Sequence, residues 1–183
     1  MKVAILGAGQ VGRALGGGWQ AAGHTVRYGV PSPDDPKHAG LPTTTVPEAV
    51  RDAEVVVLAT PWPATQEALR SAGGLAGRIV IDCTNPLNYS PETGLSLALG
   101  FDTSGGEHVA GWAPGASVFK TLNQTGAEGM AQARTFAQPP VMFVAGDDEA
   151  RKPAVLSLVN DLGFEAVDAG PLAQARLLEP LAM

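Results

Sequence analysis

The feature that most constrains this chain is Gly7-x-Gly9-x-x-Gly12, set directly after the apolar run Val3-Ala4-Ile5-Leu6. A glycine triplet alone is a weak signal. Here it follows a predicted strand and opens a predicted helix over 13–22, which Gly23 is placed to stop. A second predicted strand, 24–28, comes next. Strand, glycine turn, helix, strand is the opening of a dinucleotide-binding unit. Gly7 permits the tight turn, Gly9 lets the backbone approach a pyrophosphate, and Gly12 lets the helix lie close on the sheet. The helix start, with Gln10 and Val11, offers free N–H groups and a positive dipole end to phosphate. Gly16, Gly17 and Gly18 fall inside the helix, each costing roughly 0.5–1 kcal/mol against alanine. They make sense if one side of the helix packs very closely.

The alternation continues along the chain. A short helix is predicted over 47–53 with proline in its first turn, then a strand over 54–59 whose continuous apolar run suits a sheet covered on both faces. A helix over 64–72 and a strand over 78–83 follow. Residues 88–106 are rich in Ser, Gly and Pro and give no clear period. Strands at 116–121, 141–145 and 164–168 alternate with helices at 125–132 and 147–162, and 172–178 reads as helical. The expected fold is α/β: a doubly wound, Rossmann-type, mostly parallel sheet forming one domain over residues 1–183, with no separate substrate domain.

Composition narrows the function classes. Hydrophobic residues make up 45% of the 183, enough for a large core, so disorder is not expected. The net charge of −6 argues against nucleic acid as a partner. One cysteine, Cys83, excludes an intrachain disulfide and a multi-cysteine metal site. The apolar run after Met1-Lys2 is too short for a signal peptide, and no stretch approaches a membrane span. The expectation is a cytoplasmic protein with no membrane partner.

Cofactor choice turns on the end of the second strand. An NAD-binding chain usually carries a carboxylate there for the ribose hydroxyls. This chain reads Tyr28-Gly29-Val30-Pro31-Ser32, with no carboxylate until Asp34. That favours the 2′-phosphate of NADP over NAD, with Ser32 as a hydrogen-bonding partner and Arg13 or Lys37 supplying charge. In an open α/β sheet, ligands sit beyond the carboxyl ends of the strands. Thr60-Pro61-Trp62, Asn85-Pro86 and Lys120 to Asn123 all fall at such ends. Trp62 reads equally as a rim or core aromatic, Asn85 as a turn former before Pro86, and Lys120 as an ion-paired strand end.

These motifs together resemble the NADP-dependent reductases of the deazaflavin coenzyme F420 and related bacterial dinucleotide-binding reductases. The resemblance runs over nearly the whole chain. It rests on Gly-Ala-Gly-Gln-Val-Gly at 7–12, Tyr-Gly-Val at 28–30, Ala-Thr-Pro-Trp at 59–62 and Asp-Cys-Thr-Asn-Pro-Leu at 82–87. It continues with Lys-Thr-Leu-Asn-Gln-Thr-Gly-Ala-Glu at 120–128, Val-Ala-Gly-Asp-Asp at 144–148 and Leu-Glu-Pro-Leu-Ala-Met at 178–183. It implies that Ala59, Thr60, Pro61 and Trp62 run beside the ribose and nicotinamide. It also implies that Asn85, Pro86, Thr121 and Asn123 close the pocket around the reacting ring, and that a homodimer walls the acceptor. A deazaflavin or flavin would be the second substrate. Pro31 stands where relatives usually carry a basic residue, and relatives commonly continue beyond the position of Met183.

Hydride transfer between two ring cofactors needs no side-chain acid–base pair, and none is evident. His24 and His38 read as structural, His108 is a minor candidate for catalysis, Cys83 reads as a small core residue and Glu107 as a helix-surface carboxylate. Two alternatives remain at this stage: reduction of a small imine or keto substrate, and a non-catalytic NADP(H)-binding module.

Overall fold

The computed structural model describes residues 1–92 and 94–183. The chain opens with β1 (Lys2–Leu6), α1 (Gln10–Ala21), β2 (Thr25–Gly29), β3 (Thr43–Thr44), α2 (Val46–Val50), β4 (Val55–Leu58), α3 (Trp62–Ala72) and β5 (Ile79–Asp82). A small antiparallel hairpin follows, β6 (Leu87–Ser90) and β7 (Gly94–Leu97). The remainder is α4 (Gly105–Trp112), β8 (Ser117–Lys120), α5 (Ala127–Gln132), β9 (Val141–Gly146), α6 (Lys152–Asn160), β10 (Glu165–Gly170) and α7 (Ala175–Leu181).

Eight strands form the main sheet in the order β10-β9-β8-β5-β4-β1-β2-β3. The chain starts in the middle at β1, winds outward to β3, then returns to β4 on the other side of β1. The switch point between β1 and β4 is where such sheets leave a crevice. Alternate strand residues feed opposite layers. Val3, Ile5, Val55, Val57 and Ile81 join Leu15 and Trp19 of α1 and Val155 and Leu158 of α6. Ala4, Leu6, Val56, Leu58 and Val80 join Ala49 of α2, Leu69 of α3 and Val109 of α4. All four residues of β4 are buried, as a strand covered on both faces must be.

The structure corrects several sequence expectations. The sheet is mostly parallel, as expected; the sequence does not place the exception, β9, which runs antiparallel to β8. Strand–helix alternation does not encode direction, and the link from β8 to β9 passes through the short α5, whose Met130 packs in the same core layer as α1. The helix expected over 147–162 begins only at Lys152, because the Asp148 side chain captures the Arg151 N–H and its carbonyl accepts the Lys152 N–H, making a turn first. α1 begins three residues earlier than expected, at Gln10, and α3 begins at Trp62, where Pro61 caps it and Pro63 fits the first turn. Within 88–106, where the sequence shows no period, lie parts of the β6–β7 hairpin and the start of α4. Among the described residues no helix is long and apolar enough to cross a membrane.

The glycines of α1 divide by contact. A Cβ on Gly16 would lie 2.0 Å from the Tyr28 hydroxyl, and one on Gly18 would lie 2.6 Å from a Leu162 methyl, whereas Gly17 faces open space. Tyr28 is buried, so it cannot swing away cheaply. We therefore expect Gly16→Ala to destabilise by about 1–3 kcal/mol through overpacking. Gly17→Ala should stabilise by about 0.5–1 kcal/mol through helix propensity. Urea midpoints of the two variants check this pair.

Candidate functional site

The glycine turn sits at the carboxyl edge of the sheet and is shaped by close backbone approach. Gly7 has φ 108°. A Cβ there would stand 2.6 Å from the Ala59 carbonyl oxygen, and one on Gly12 would stand 2.3 Å from the Gly7 carbonyl oxygen. Side chains at either position would push β1, β4 and α1 apart. Gly9, the N-cap of α1, behaves differently: nothing lies within 4 Å of where its Cβ would be. The space above it is open to a ligand, and the first N–H groups of α1 have no helical acceptor.

Three adjoining hollows run along this edge. The central one, about 700 Å³, is lined by Gly7, Gly9, Gln10 and Arg13 on one side and by Ala59, Thr60 and Pro61 on the other. Val30, Pro31, Lys37 and His38 close one end of it. Beside that end, a hollow of about 460 Å³ adds Val46, Ala64, Glu67 and Ala68. At the other end, a hollow of about 330 Å³ is lined by Gly9, Gln10, Val11, Ala59, Thr60, Pro61 and Cys83. Its one ionisable side chain is Cys83, whose thiol pKa is pushed up by burial and by the neighbouring Asp82 charge, which makes it unreactive.

At the Val30–Pro31 end two cationic side chains, Arg13 and Lys37, line the hollow. Arg13 donates from Nε to the Ala8 carbonyl at 2.9 Å and from Nη2 to the Lys37 carbonyl at 2.6 Å, tying the glycine turn to the loop after β2. Lys37 pairs with Asp35 at 2.7 Å and remains largely exposed. His38, read from the sequence as structural, is buried and lines the same end of the hollow. Ser32 is exposed at the start of this loop, its carbonyl accepting the Asp35 N–H, and lies outside the residues lining the central hollow.

The remaining expected residues, Trp62, Asn85, Pro86, Thr121 and Asn123, line none of these three hollows and form a second cluster on the loops after β4, β5 and β8. Asn123 donates from Nδ2 to Asn85 Oδ1 at 3.0 Å, and Asn85 donates back to the Asn123 carbonyl at 2.9 Å. This reciprocal pair joins the loops after β5 and β8. Leu122, between Thr121 and Asn123, holds φ 60°, which sets the sharp bend of the second loop. Thr121 is buried, with its hydroxyl unpartnered, as is Asn123 Oδ1. Trp62 and Pro86 both pack against Gly105: a Cβ there would meet them at 3.2 and 3.4 Å. Trp62 also stacks obliquely on Trp112 and lies edge-on to His108. His24 is structural, bonding Asp161 at 2.9 Å, and Cys83 is buried.

Beneath this cluster lies a buried charged group, in which Lys120 is the ion-paired strand end that the sequence offered as one reading. Lys120 is fully buried between Asp82, at 2.9 Å, and Glu179, at 2.8 Å. Burial alone would lower the pKa of its ammonium, but the two carboxylates outweigh that and hold it above the ordinary lysine value. Asp82 and Lys120 are register partners on adjacent strands. Opposite charges ending two apolar runs were the available clue; Glu179 had none. Glu107, expected as a surface carboxylate, instead makes a two-pronged ion pair with Arg176. That pair and an accepted Ser104 hydroxyl bond hold its pKa below the usual carboxylate value, although partial burial acts against them.

Comparison with known proteins places this architecture. The family model for NADP oxidoreductase, coenzyme F420-dependent, matches residues 2–86. The crystal structure of a proposed F420-dependent NADP reductase from Arthrobacter sp. FB24 is 34% identical with a TM-score of 0.87, covering 99% of this chain and 90% of that one. A hypothetical protein from Sinorhizobium meliloti is 26% identical with a TM-score of 0.80, covering 94% of this chain and 86% of that one. The metalloreductase STEAP3 of Rattus norvegicus is 29% identical over 185 residues, which take in 98% of this chain and only 36% of the rat protein. An imine reductase from Aspergillus terreus shares the fold, with a TM-score of 0.71 at 20% identity, covering 98% of this chain and 58% of that one. With a solved relative 34% identical over 90% of its length, the chain belongs to the coenzyme F420-dependent NADP oxidoreductases, a family of NADP-dependent enzymes.

Proposed function

We propose that this NADP-dependent oxidoreductase passes a hydride between NADP(H) and a deazaflavin, or a flavin in its place. One observation carries the reading: the hollow that reaches Cys83 is lined by Gly9, Gln10, Val11, Ala59, Thr60, Pro61 and that unreactive thiol, with no carboxylate or imidazole among them. That suits a reaction in which the protein orients two rings and excludes water while supplying no proton at the reacting carbon. Bound NADPH supplies the hydride; the chain's residues hold and aim it.

The residues fit the cofactor in order along the edge. Val30, Pro31, Ala64 and Ala68 make an apolar slot of a size for the adenine. The open space over Gly9 and the free N–H groups of Gln10, Val11 and Gly12 suit the pyrophosphate. Gly7, Ala59, Thr60 and Pro61 form the channel to the nicotinamide end. There Trp62, Asn85, Pro86, Thr121 and Asn123 would border the reacting ring. The 2′-phosphate would meet Arg13 and Lys37, with Ser32 at the rim. The reading includes a homodimer in the cytoplasm, because the acceptor side is open and Tyr89, Leu95 and Phe101 are exposed nearby in sequence.

Mixing the protein with NADPH and oxidised coenzyme F420 should give turnover, followed by loss of nicotinamide absorbance. No turnover with F420, FMN or FAD would reject the reading. Calorimetric titration should show NADPH binding at least about tenfold more tightly than NADH, the scale of one charge-assisted phosphate contact. Arg13→Ala should erase most of that difference by weakening NADPH alone. Equal loss for both nucleotides would instead assign Arg13 to holding the loop. Sedimentation equilibrium at micromolar protein should give the dimer mass; a monomer alone would remove the dimer from the reading.

A further inference from the structure

Hydride transfer along the sheet edge gives no task to the C-terminal motif Leu178-Glu179-Pro180-Leu181. Yet α7, which carries it, is fastened to the site at successive points. Arg176 makes its two-pronged ion pair with Glu107 of α4. The Leu178 carbonyl accepts from Asn123 Nδ2 at 2.9 Å. Glu179 accepts the N–H groups of Gly105 and Gly106 at 2.9 and 3.0 Å and pairs with Lys120. Lys120 in turn donates to Asp82 Oδ2 and to the Thr84 carbonyl. Asp82 Oδ1 accepts the N–H and hydroxyl of Thr84, the residue before Asn85.

One buried ammonium therefore touches the last residue of β5, the loop that carries Asn85, and helix α7, while sitting itself at the end of β8 directly before Thr121. The two carboxylates outnumber it, and the surplus negative charge is met by the N-terminal N–H groups of α4. A buried ion group of this kind is seldom a net gain in stability over apolar side chains of similar volume. Its effect is to specify one arrangement of the elements it joins.

We infer that Lys120 and Glu179 are positioning residues: together they hold the loops after β5 and β8, and so the Asn85–Asn123 pair, in place around the nicotinamide end of the site. This rests on the placement of the nicotinamide proposed above. Neither residue reaches the ligand; both act through Asn85 and Asn123. Removing the charge on Glu179 should leave the glycine turn, more than a hundred positions earlier in the chain, able to bind the rest of the nucleotide.

The test uses Glu179→Gln, with Glu107→Gln as the comparison that loosens the same helix away from Lys120. NADPH affinity is measured by calorimetry and enclosure of its dihydronicotinamide by the fluorescence gain on binding; neither needs an acceptor. For Glu179→Gln we expect affinity within about threefold of wild type, a fluorescence gain cut by about half or more, and kcat with oxidised F420 lowered about tenfold or more, the scale of a small misplacement of reacting groups. Glu107→Gln should keep both ring fluorescence and kcat near wild type. If Glu179→Gln does not fold, Glu179→Asp keeps the charge with a shorter reach and should show the same split to a lesser degree. An unchanged ring signal in the Glu179 variant, an affinity loss matching the kcat loss, or equal effects from Glu107→Gln would each overturn the inference. Absence of F420 turnover by the wild-type protein would reject the acceptor reading alone.

Discussion

Everything at this site depends on how closely three stretches of backbone approach one another. Gly7 lies where a single methyl group would collide with the Ala59 carbonyl, and Gly12 where one would collide with Gly7 itself. Those contacts pull the N-terminus of α1 down onto the switch point between β1 and β4. The result is a crevice whose floor is bare backbone and whose donors are helix N–H groups. A pyrophosphate, doubly anionic and flexible, fits such a floor because it needs aligned dipoles and room more than it needs side chains.

The two ends of the crevice are built on different physics. The Val30–Pro31 end is lined by Arg13, tied to the Lys37 carbonyl, and by Lys37, paired with Asp35 and largely exposed, with no carboxylate closing β2. The Asn85–Asn123 pair, which the proposal sets at the nicotinamide end, is held by a buried charge group that spans β5, β8, α4 and α7. Affinity can reside at the first end and ring alignment at the second. That division suits an enzyme whose two ring substrates carry the chemistry themselves. It also gives the C-terminal helix a role in geometry that its distance in sequence from the glycine turn would not suggest.

Much of this was legible in the residues because it is local. The glycine turn, the all-apolar β4 and the Pro61–Pro63 start of α3 each follow from chemistry within a few positions. Gly16, Gly17 and Gly18 together announced close packing; Gly16 and Gly18 face side chains that a methyl group would strike, while Gly17 faces none. What stayed hidden is long-range or directional. The reversal of β9 depends on the path of the link from β8, not on any periodicity. The β6–β7 hairpin lacks the β-branched residues that mark strands, its polar face being Asn88, Ser90 and Ser96. Glu179 looks like an ordinary polar position of a short helix, and only the fold brings it to Lys120, 59 positions earlier. Glu107 likewise gives no hint of Arg176, 69 residues away.

The central claim is that this crevice aligns two rings for direct hydride transfer. The most direct test is isotopic: NADPH carrying deuterium on the transferable face of its nicotinamide C4 is mixed with oxidised coenzyme F420 and the protein in ordinary water. Direct transfer predicts deuterium at the reduced carbon of the deazaflavin, with none incorporated there when unlabelled NADPH is used in heavy water. Reduced deazaflavin that carries its new hydrogen from solvent, or nicotinamide left unoxidised, would contradict it.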